Sequence, residues 1–593
     1  MDNALLTTDI KEQRTMKILG YLAMVALAVV VPCFAQFKLT PEQQSWVDQT
    51  LAQMTLEEKI GQVMFPVTSG AFTNVDSDEF QKIKDNIQKY HVGGYHIEGY
   101  SGGNPVSGAF LVSRMQQLAK LPLLITADFE GGAGYQFAGA TRFPRGMAIG
   151  ATGVVQYAYD AASFTAREAK AMGISVNFYP VVDVNNNPQN PIINIRSFGE
   201  NPTAVGDFGQ AYIKGTQDNG IIATAKHFPG HGDTSVDSHL ELPVINFDRA
   251  RLNLIELPPF QAAIKAGADA VMTAHIDLPQ FEKTPGLPAS LSPAITTGLL
   301  RHDLDFRGLV FTDALVMHAI TTHFGAEQAV VKAIQAGADV ALEPADVPKA
   351  FAALREAVAK GDLTVERLDQ SVRRLLSAKA WEGLNAQRTP DLNQVDTLVG
   401  TRAAQQKSDE IMEHALTLVK DERNAIPLRV DPGEQVLLLN FTDTENAEYS
   451  ATSGLTFRAE FMERHPKTLF AQVGPMISRN EADLIRQLAD VTRTVVVSCS
   501  IRIASYKGSL GLSESQQNLL QSIAHHDGPF VFALFGSPYL LNYVPELPSY
   551  ALAFEFYPGA EAAMVRALFG EIPFQGKLPV TVGTFPVGFK LTK

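Results

Sequence analysis

The chain has two cysteines, Cys33 and Cys499. That is too few for a disulfide framework and excludes a cysteine-built zinc cluster. Its lysines and arginines never gather into a run, and the net charge is −14. This balance excludes the basic footprint of a nucleic-acid-binding protein. Beyond residue 36 no apolar stretch is long enough to cross a bilayer. What remains is ordinary globular material, 46% hydrophobic and 19% charged. At 593 residues it is too long for a single core.

The one strongly apolar segment lies near the start. Met16-Lys17 leads into an apolar run over 18–31, and Ala35 precedes a cleavable bond at Gln36. Residues 1–35 are read as a leader containing a signal peptide, with translation expected to begin at Met16. The mature protein is then expected in the periplasm or outside the cell, with no stable membrane span.

Eight short apolar runs alternate with helical patterns between residues 60 and 345: 61–67, 93–99, 123–130, 175–183, 221–227, 268–276, 308–313 and 336–343. Such alternation predicts parallel strands, and eight repeats in this length predict a (β/α)8 TIM-type barrel over 36–384. A doubly wound open sheet is the alternative. Polar residues close six runs: Asp128, Asp183, Lys226-His227, His275, Asp313 and Glu343. In barrel enzymes that strand edge carries the site. Residues 385–406 are polar and read as a linker. Residues 407–593 alternate strands and helices again, as expected of a second α/β sandwich domain with an open sheet.

The densest chemistry lies at 226–239, KHFPGHGDTSVDSH. An apolar strand runs straight into this rigid polar loop. Asp237 and His239 stand two apart, so in extended chain they point the same way, and a carboxylate beside an imidazole orients a proton donor. His227, His231, Asp233, Asp237 and His239 are the residue types of a metal site. However, Pro229, Gly230 and Gly232 break the helix that a His-x3-His pair needs. No metal and no cofactor is expected. A purely structural polar loop is the bland alternative. Asp313, in LVFTDALVM, suits a nucleophile aimed at an anomeric carbon; it equally suits a helix N-cap. Asp128 lies in ITADFEGG, and Arg196 lies in the polar loop NIRSFG.

Together MTLEEKIGQVM (54–64), ADFEGG (127–132), NIRSFG (194–199), KHFPGHGDTSVDSH (226–239), VMTAHI (271–276) and FTDAL (311–315) resemble glycoside hydrolase family 3, in its β-N-acetylglucosaminidase branch. FGSPYLL (535–541) and ALFGEIPFQGKLPVTV (567–582) look like the family's second domain. The resemblance implies a retaining exo-enzyme that removes terminal N-acetylglucosamine from peptidoglycan fragments or chitooligosaccharides. It implies Asp313 as nucleophile, His239 as acid/base, Asp237 as its orienting partner, and Asp128, Arg196, Lys226, His227 and His275 as sugar-binding residues. Two departures stand out. The family commonly follows its Glu-Gly-Gly with an arginine, where this chain has Ala133-Gly134-Tyr135. The stretch comparable to the β-glucosidases' acid/base segment, IRIASYKGSLGLSESQQNLL (501–520), has no acidic residue before Gly508. The second departure favours the His239/Asp237 pair over a glucosidase or xylosidase. A phosphorylase using the same site is the other alternative. The oligomeric state is not legible.

Overall fold

The computed structural model describes residues 37–100, 102–238, 240–444, 452–503 and 511–592. The expected leader at 1–35, Cys33 and the expected acid/base His239 therefore lie outside the described residues.

Nine short strands make up the first half: β1 (Met64–Phe65), β2 (Val67–Ser69), β3 (Gly94–Glu98), β4 (Leu124–Ala127), β5 (Val176–Asn177), β6 (Ile222–Phe228), β7 (Ala270–Thr273), β8 (Leu309–Thr312) and β9 (Ala341–Leu342). Strands β2 to β8 form one parallel sheet in sequence order, and β1 pairs in parallel with β9. Backbone bonds join these two sets. Thr312 N donates to Val340 O, Ala341 N to Val63 O, and His96 N to Pro66 O. The fold is α/β with a barrel-like domain. Helices cover the outside and strand side chains are buried on both faces, so the strands read as continuous apolar runs rather than alternating ones. All seven residues of β6 are buried.

Several strands are shorter than their apolar runs. Run 61–67 begins inside a helix, Leu56–Gln62, started by a reciprocal Thr55–Glu58 capping box. Pro66 has no N–H to donate and separates β1 from β2. Run 175–183 keeps regular pairing only at β5. Pro180 interrupts it, and bonding to β6 resumes through Lys226 N to Pro180 O and Val182 N to Lys226 O. Run 336–343 loses its first residues to helix Ala326–Ala336, which Gly337 ends in the left-handed conformation at φ 118°.

The expected helices at 348–384 are Val347–Lys360 and Val365–Trp381. Within the polar stretch 385–406 lie a single turn, Val395–Leu398, and the start of helix Arg402–Ala415. A six-stranded sheet follows: β10 (Thr417–Asp421), β11 (Val436–Thr442), β12 (Thr468–Val473), β13 (Thr494–Ile501), β14 (Phe530–Gly536) and β15 (Ser549–Leu552). Its order is β10-β15-β14-β13-β11-β12, parallel except where β10 meets β15. Buried Cys499 lies in β13.

The two halves share packing. Met147, Ala148, Ala151 and Ile195 belong to the core of the six-stranded sheet although they precede it by more than 200 residues. Helix Gly146–Thr152 carries the first three. Gly146 and Gly150 let this helix lie directly on the backbone of Arg196–Phe198, where a Cβ would collide with carbonyl oxygens. Among the described residues no helix is long and apolar enough to cross a membrane.

Candidate active site

A cavity of about 330 Å³ opens at the carboxyl edge of the barrel-like sheet. That volume lies in the range of roughly 300–1,000 Å³ usual for small-molecule sites. Asp128, Arg196, Lys226, His227 and Asp313 all line it. Five of the expected site residues thus meet in one place, carried there by different strands and loops.

Buried charge organises one wall. Lys226, at the end of β6, donates to Asp128 Oδ1 at 2.6 Å and lies 2.8 Å from Glu130 Oε1. Arg196 grips Glu130 with both prongs, Nε to Oε2 at 2.9 Å and Nη2 to Oε1 at 2.7 Å. Burial alone would raise the Glu130 carboxyl, but Arg196 and Lys226 outweigh it and hold the group well below the usual carboxylate range. Burial likewise opposes the Lys226 charge, and Asp128 and Glu130 reverse that, so its ammonium is favoured.

A second chain of bonds fixes the histidines. Arg196 Nη2 approaches His227 Nε2 at 3.3 Å. A guanidinium can only donate, so Nε2 accepts and the ring proton sits on Nδ1. Nδ1 then donates to Asp183 Oδ2 at 2.7 Å. The same carboxylate accepts from the backbone of His227 and, at 2.7 Å, from that of His231. Asp183 thereby pins the start of the 226–239 loop from beneath. His231 is buried between Thr234 Oγ1 (3.1 Å) and Ser238 Oγ (3.0 Å), and burial followed by the nearby His227 pulls its pKa down to about 4. It is a neutral structural ring that supports the loop. Asp237 is buried, and its backbone carbonyl accepts from Leu240 and Glu241.

Asp313 follows β8. Its backbone N donates to Thr273 O at 2.9 Å, and its Oδ1 accepts from Ala314 N at 2.9 Å. The next helix, His318–Phe324, starts five residues later, with Met317 in the N-cap position. The carboxylate is therefore not that helix's cap. His275 is not among the residues that line the cavity. It is fully buried behind the cavity wall, with Nε2 donating to Ala314 O at 2.9 Å and Nδ1 meeting Ser290 Oγ at 2.7 Å. Nε2 thus braces the segment after Asp313, while Nδ1 ties the ring to the turn Ala289–Leu291.

The adjoining wall carries Glu343, which closes the last apolar run, together with residues outside the expected set: Glu98, Tyr100, Tyr135 and Arg145. The ligand atoms of His96, Glu98 and Glu343 converge within 4.8 Å, the donor grouping among the described residues with the spacing to take a cation. Burial, then repulsion from Glu98, Asp128 and Asp313, pushes the Glu343 carboxyl up to about 8. Burial and Asp128 raise Glu98 as well. Glu98 and Glu343 end strand runs in the sequence, and Glu130 sits inside ADFEGG. The strand-end rule found Glu343, and applied to every acid it would have found Glu98 and Glu130 as well. Ile503, just past β13, also lines the cavity, so the second sheet reaches the site.

The matches to known proteins agree with this arrangement. Residues 55–378 match the glycosyl hydrolase family 3 N-terminal domain. A beta-N-acetylglucosaminidase/beta-glucosidase of Cellulomonas fimi is 30% identical over 563 residues, covering 92% of this chain and 97% of that protein. The solved structure of a family 3 beta-N-acetylglucosaminidase from Paenibacillus sp. str. FPU-7 aligns with a TM-score of 0.79 and 34% identity, over 89% of this chain and 99% of that one. A beta-glucoside phosphorylase aligns with a TM-score of 0.81 and 26% identity, over 92% and 97%. Matched over more than half its length by the family's domain, and over nearly all of it by a relative, this chain belongs to glycosyl hydrolase family 3.

Proposed function

We propose that the protein is a retaining exo-β-N-acetylglucosaminidase acting on peptidoglycan fragments or chitooligosaccharides. The observation that carries this reading is the convergence of Asp313 with the Asp128–Lys226–Glu130–Arg196–His227 array on one sugar-sized cavity. In this reading the first domain is a closed (β/α)8 barrel and the second an α/β sandwich. Lys226 and Arg196 donate to sugar oxygens and Asp128 accepts from sugar hydroxyls, and these charge-assisted bonds hold the glycone. Asp313 attacks the anomeric carbon as the glycosidic C–O bond breaks, forming a glycosyl-aspartate. His239, oriented by Asp237, gives its proton to the departing oxygen and then takes one from the water that cleaves the ester. An imidazole with an ordinary pKa of about 6.5 suits both duties near neutral pH. A leader removed before Gln36 would deliver the enzyme to the periplasm or medium, where such glycans lie.

The test is turnover of nitrophenyl β-glycosides with and without the 2-acetamido group. Asp313→Ala is expected to lower kcat by about three orders of magnitude or more. His239→Ala should slow natural-type substrates more than activated aryl ones, because a good leaving group needs no proton. Wild-type turnover by a folded Asp313→Ala variant would sink the assignment. The likeness to a phosphorylase structure carries a second reading, in which phosphate replaces water as the acceptor. Release of a sugar-1-phosphate in phosphate buffer would establish it.

A further inference from the structure

The cavity wall around Tyr135 is built on a charge supplied by the second half of the chain. Two residues past the end of β15, Phe554 takes a left-handed φ of 60°, and the next residue is Glu555. This glutamate is fully buried, and so is Arg145, its partner 410 residues earlier. The pair is bidentate: Arg145 Nε to Oε2 at 2.7 Å and Nη2 to Oε1 at 3.0 Å, with the backbone N of Arg145 adding a bond to Oε2 at 3.3 Å. Arg142 lies 3.6 Å from the same carboxylate and donates to Phe556 O at 3.3 Å.

Both guanidinium groups lie over the Tyr135 ring, at 5.3 Å for Arg145 and 5.4 Å for Arg142. Arg145 Nη1 also approaches the Tyr135 hydroxyl at 3.5 Å. Tyr135 also meets Tyr100 edge-on at 5.7 Å, and both tyrosines line the cavity. The stack therefore runs from Glu555 through two arginines to an aromatic wall of the pocket. A guanidinium keeps its charge even when buried, so a buried one without a carboxylate partner is strongly unfavourable. Without that carboxylate Arg145 loses the bidentate bond that holds its guanidinium against the ring.

We propose that Glu555 is a positioning residue for the sugar pocket, holding the Tyr135 wall in place through Arg145 and Arg142, so that the second domain takes part in glycone binding. This rests on the reading that the cavity binds a sugar. Glu555→Gln keeps the shape and removes the charge. With an aryl N-acetylglucosaminide its KM is expected to rise about tenfold, the equivalent of one ordinary polar contact, with kcat within about twofold. Tyr135→Ala should raise KM comparably. The double variant should be no worse than the worse single, because both act on one wall. A folded Glu555→Gln protein with wild-type KM overturns the proposal, as does a double variant whose KM effects multiply. If Glu555→Gln does not accumulate as folded protein, Arg142→Gln, on the half-exposed member of the stack, carries the same test: raised KM that does not multiply with Tyr135→Ala supports it, and unchanged KM overturns it. Wild-type protein that neither turns over the glycoside nor binds free N-acetylglucosamine in calorimetry overturns both this proposal and the reading beneath it.

Discussion

The two walls of the cavity hold similar numbers of carboxylates in opposite electrostatic states. On one side Glu130 is buried between Lys226 and Arg196, and Asp128 shares the same lysine. On the other, Glu343 and Glu98 face His96, Asp128 and one another, and among the described residues no lysine or arginine forms an ion pair with either. Burial disfavours charge on both walls, so the cations decide which acid stays ionised. On the paired wall Glu130 is held charged between Arg196 and Lys226, fit to fix hydroxyls in one orientation. On the unpaired wall Glu343, pushed up to about 8, can meet a sugar as a hydrogen-bond donor at neutral pH.

Removing the anion from the paired wall should have the largest effect. Glu130→Ala leaves Arg196 and Lys226 buried with half their partners, and losing one member of a buried ion pair costs about 3–5 kcal/mol. Urea unfolding against wild type measures this. A loss below about 1 kcal/mol would mean that Asp128 and water compensate and that the wall is less dry than its burial implies.

The unpaired wall should respond in the opposite sense, and only at high pH. The Glu343 carboxyl rises from an ordinary 4.5 to about 8 in the folded protein. Between those pH values the folded state binds the proton more tightly than the unfolded state. Its stabilising contribution is therefore complete below pH 4.5 and lost as pH rises through 8. Glu343→Gln cannot ionise. At pH 9 it should be the more stable protein, the rise from 4.5 to about 8 setting an upper limit of about 5 kcal/mol at roughly 1.4 kcal/mol per pH unit. At pH 4.5 the two should melt together. Parallel stability curves across that range would show that Glu343 ionises normally and that the two walls do not differ.

Most of the paired wall was legible in the sequence. Asp128, Lys226, His227 and Asp313 each end an apolar run, and a parallel barrel gathers strand ends whatever else the chain does. Arg196 came from a polar loop that the resemblance marked. His275 obeys the same strand-end rule, yet its ring turns back to brace Ala314, because Ser290 and a bare carbonyl wait there and periodicity says nothing of a ring's partners. Short strands were overestimated wherever a proline or a helix end cut an apolar run, as at Pro66, Pro180 and Gly337. Arg145–Glu555 was illegible for a different reason. Its members are 410 residues apart and neither lies in a recognisable motif, so only folding pairs them.

The smallest effect should come from a lysine–aspartate pair of nearly the same length in water. Lys226 and Asp128 meet at 2.6 Å inside the cavity, whereas Lys214 and Asp218 meet at 2.9 Å at the exposed end of helix Pro202–Gln217. Coulomb's law gives the two pairs similar energies only if the surroundings are ignored. Around Lys214 water screens the charge, and ordering two long side chains offsets most of the gain. Lys214→Ala should leave the urea midpoint unchanged, in low salt and in high. A measurable loss there would mean that proximity of charges, and not exclusion of water, separates the two walls of the pocket.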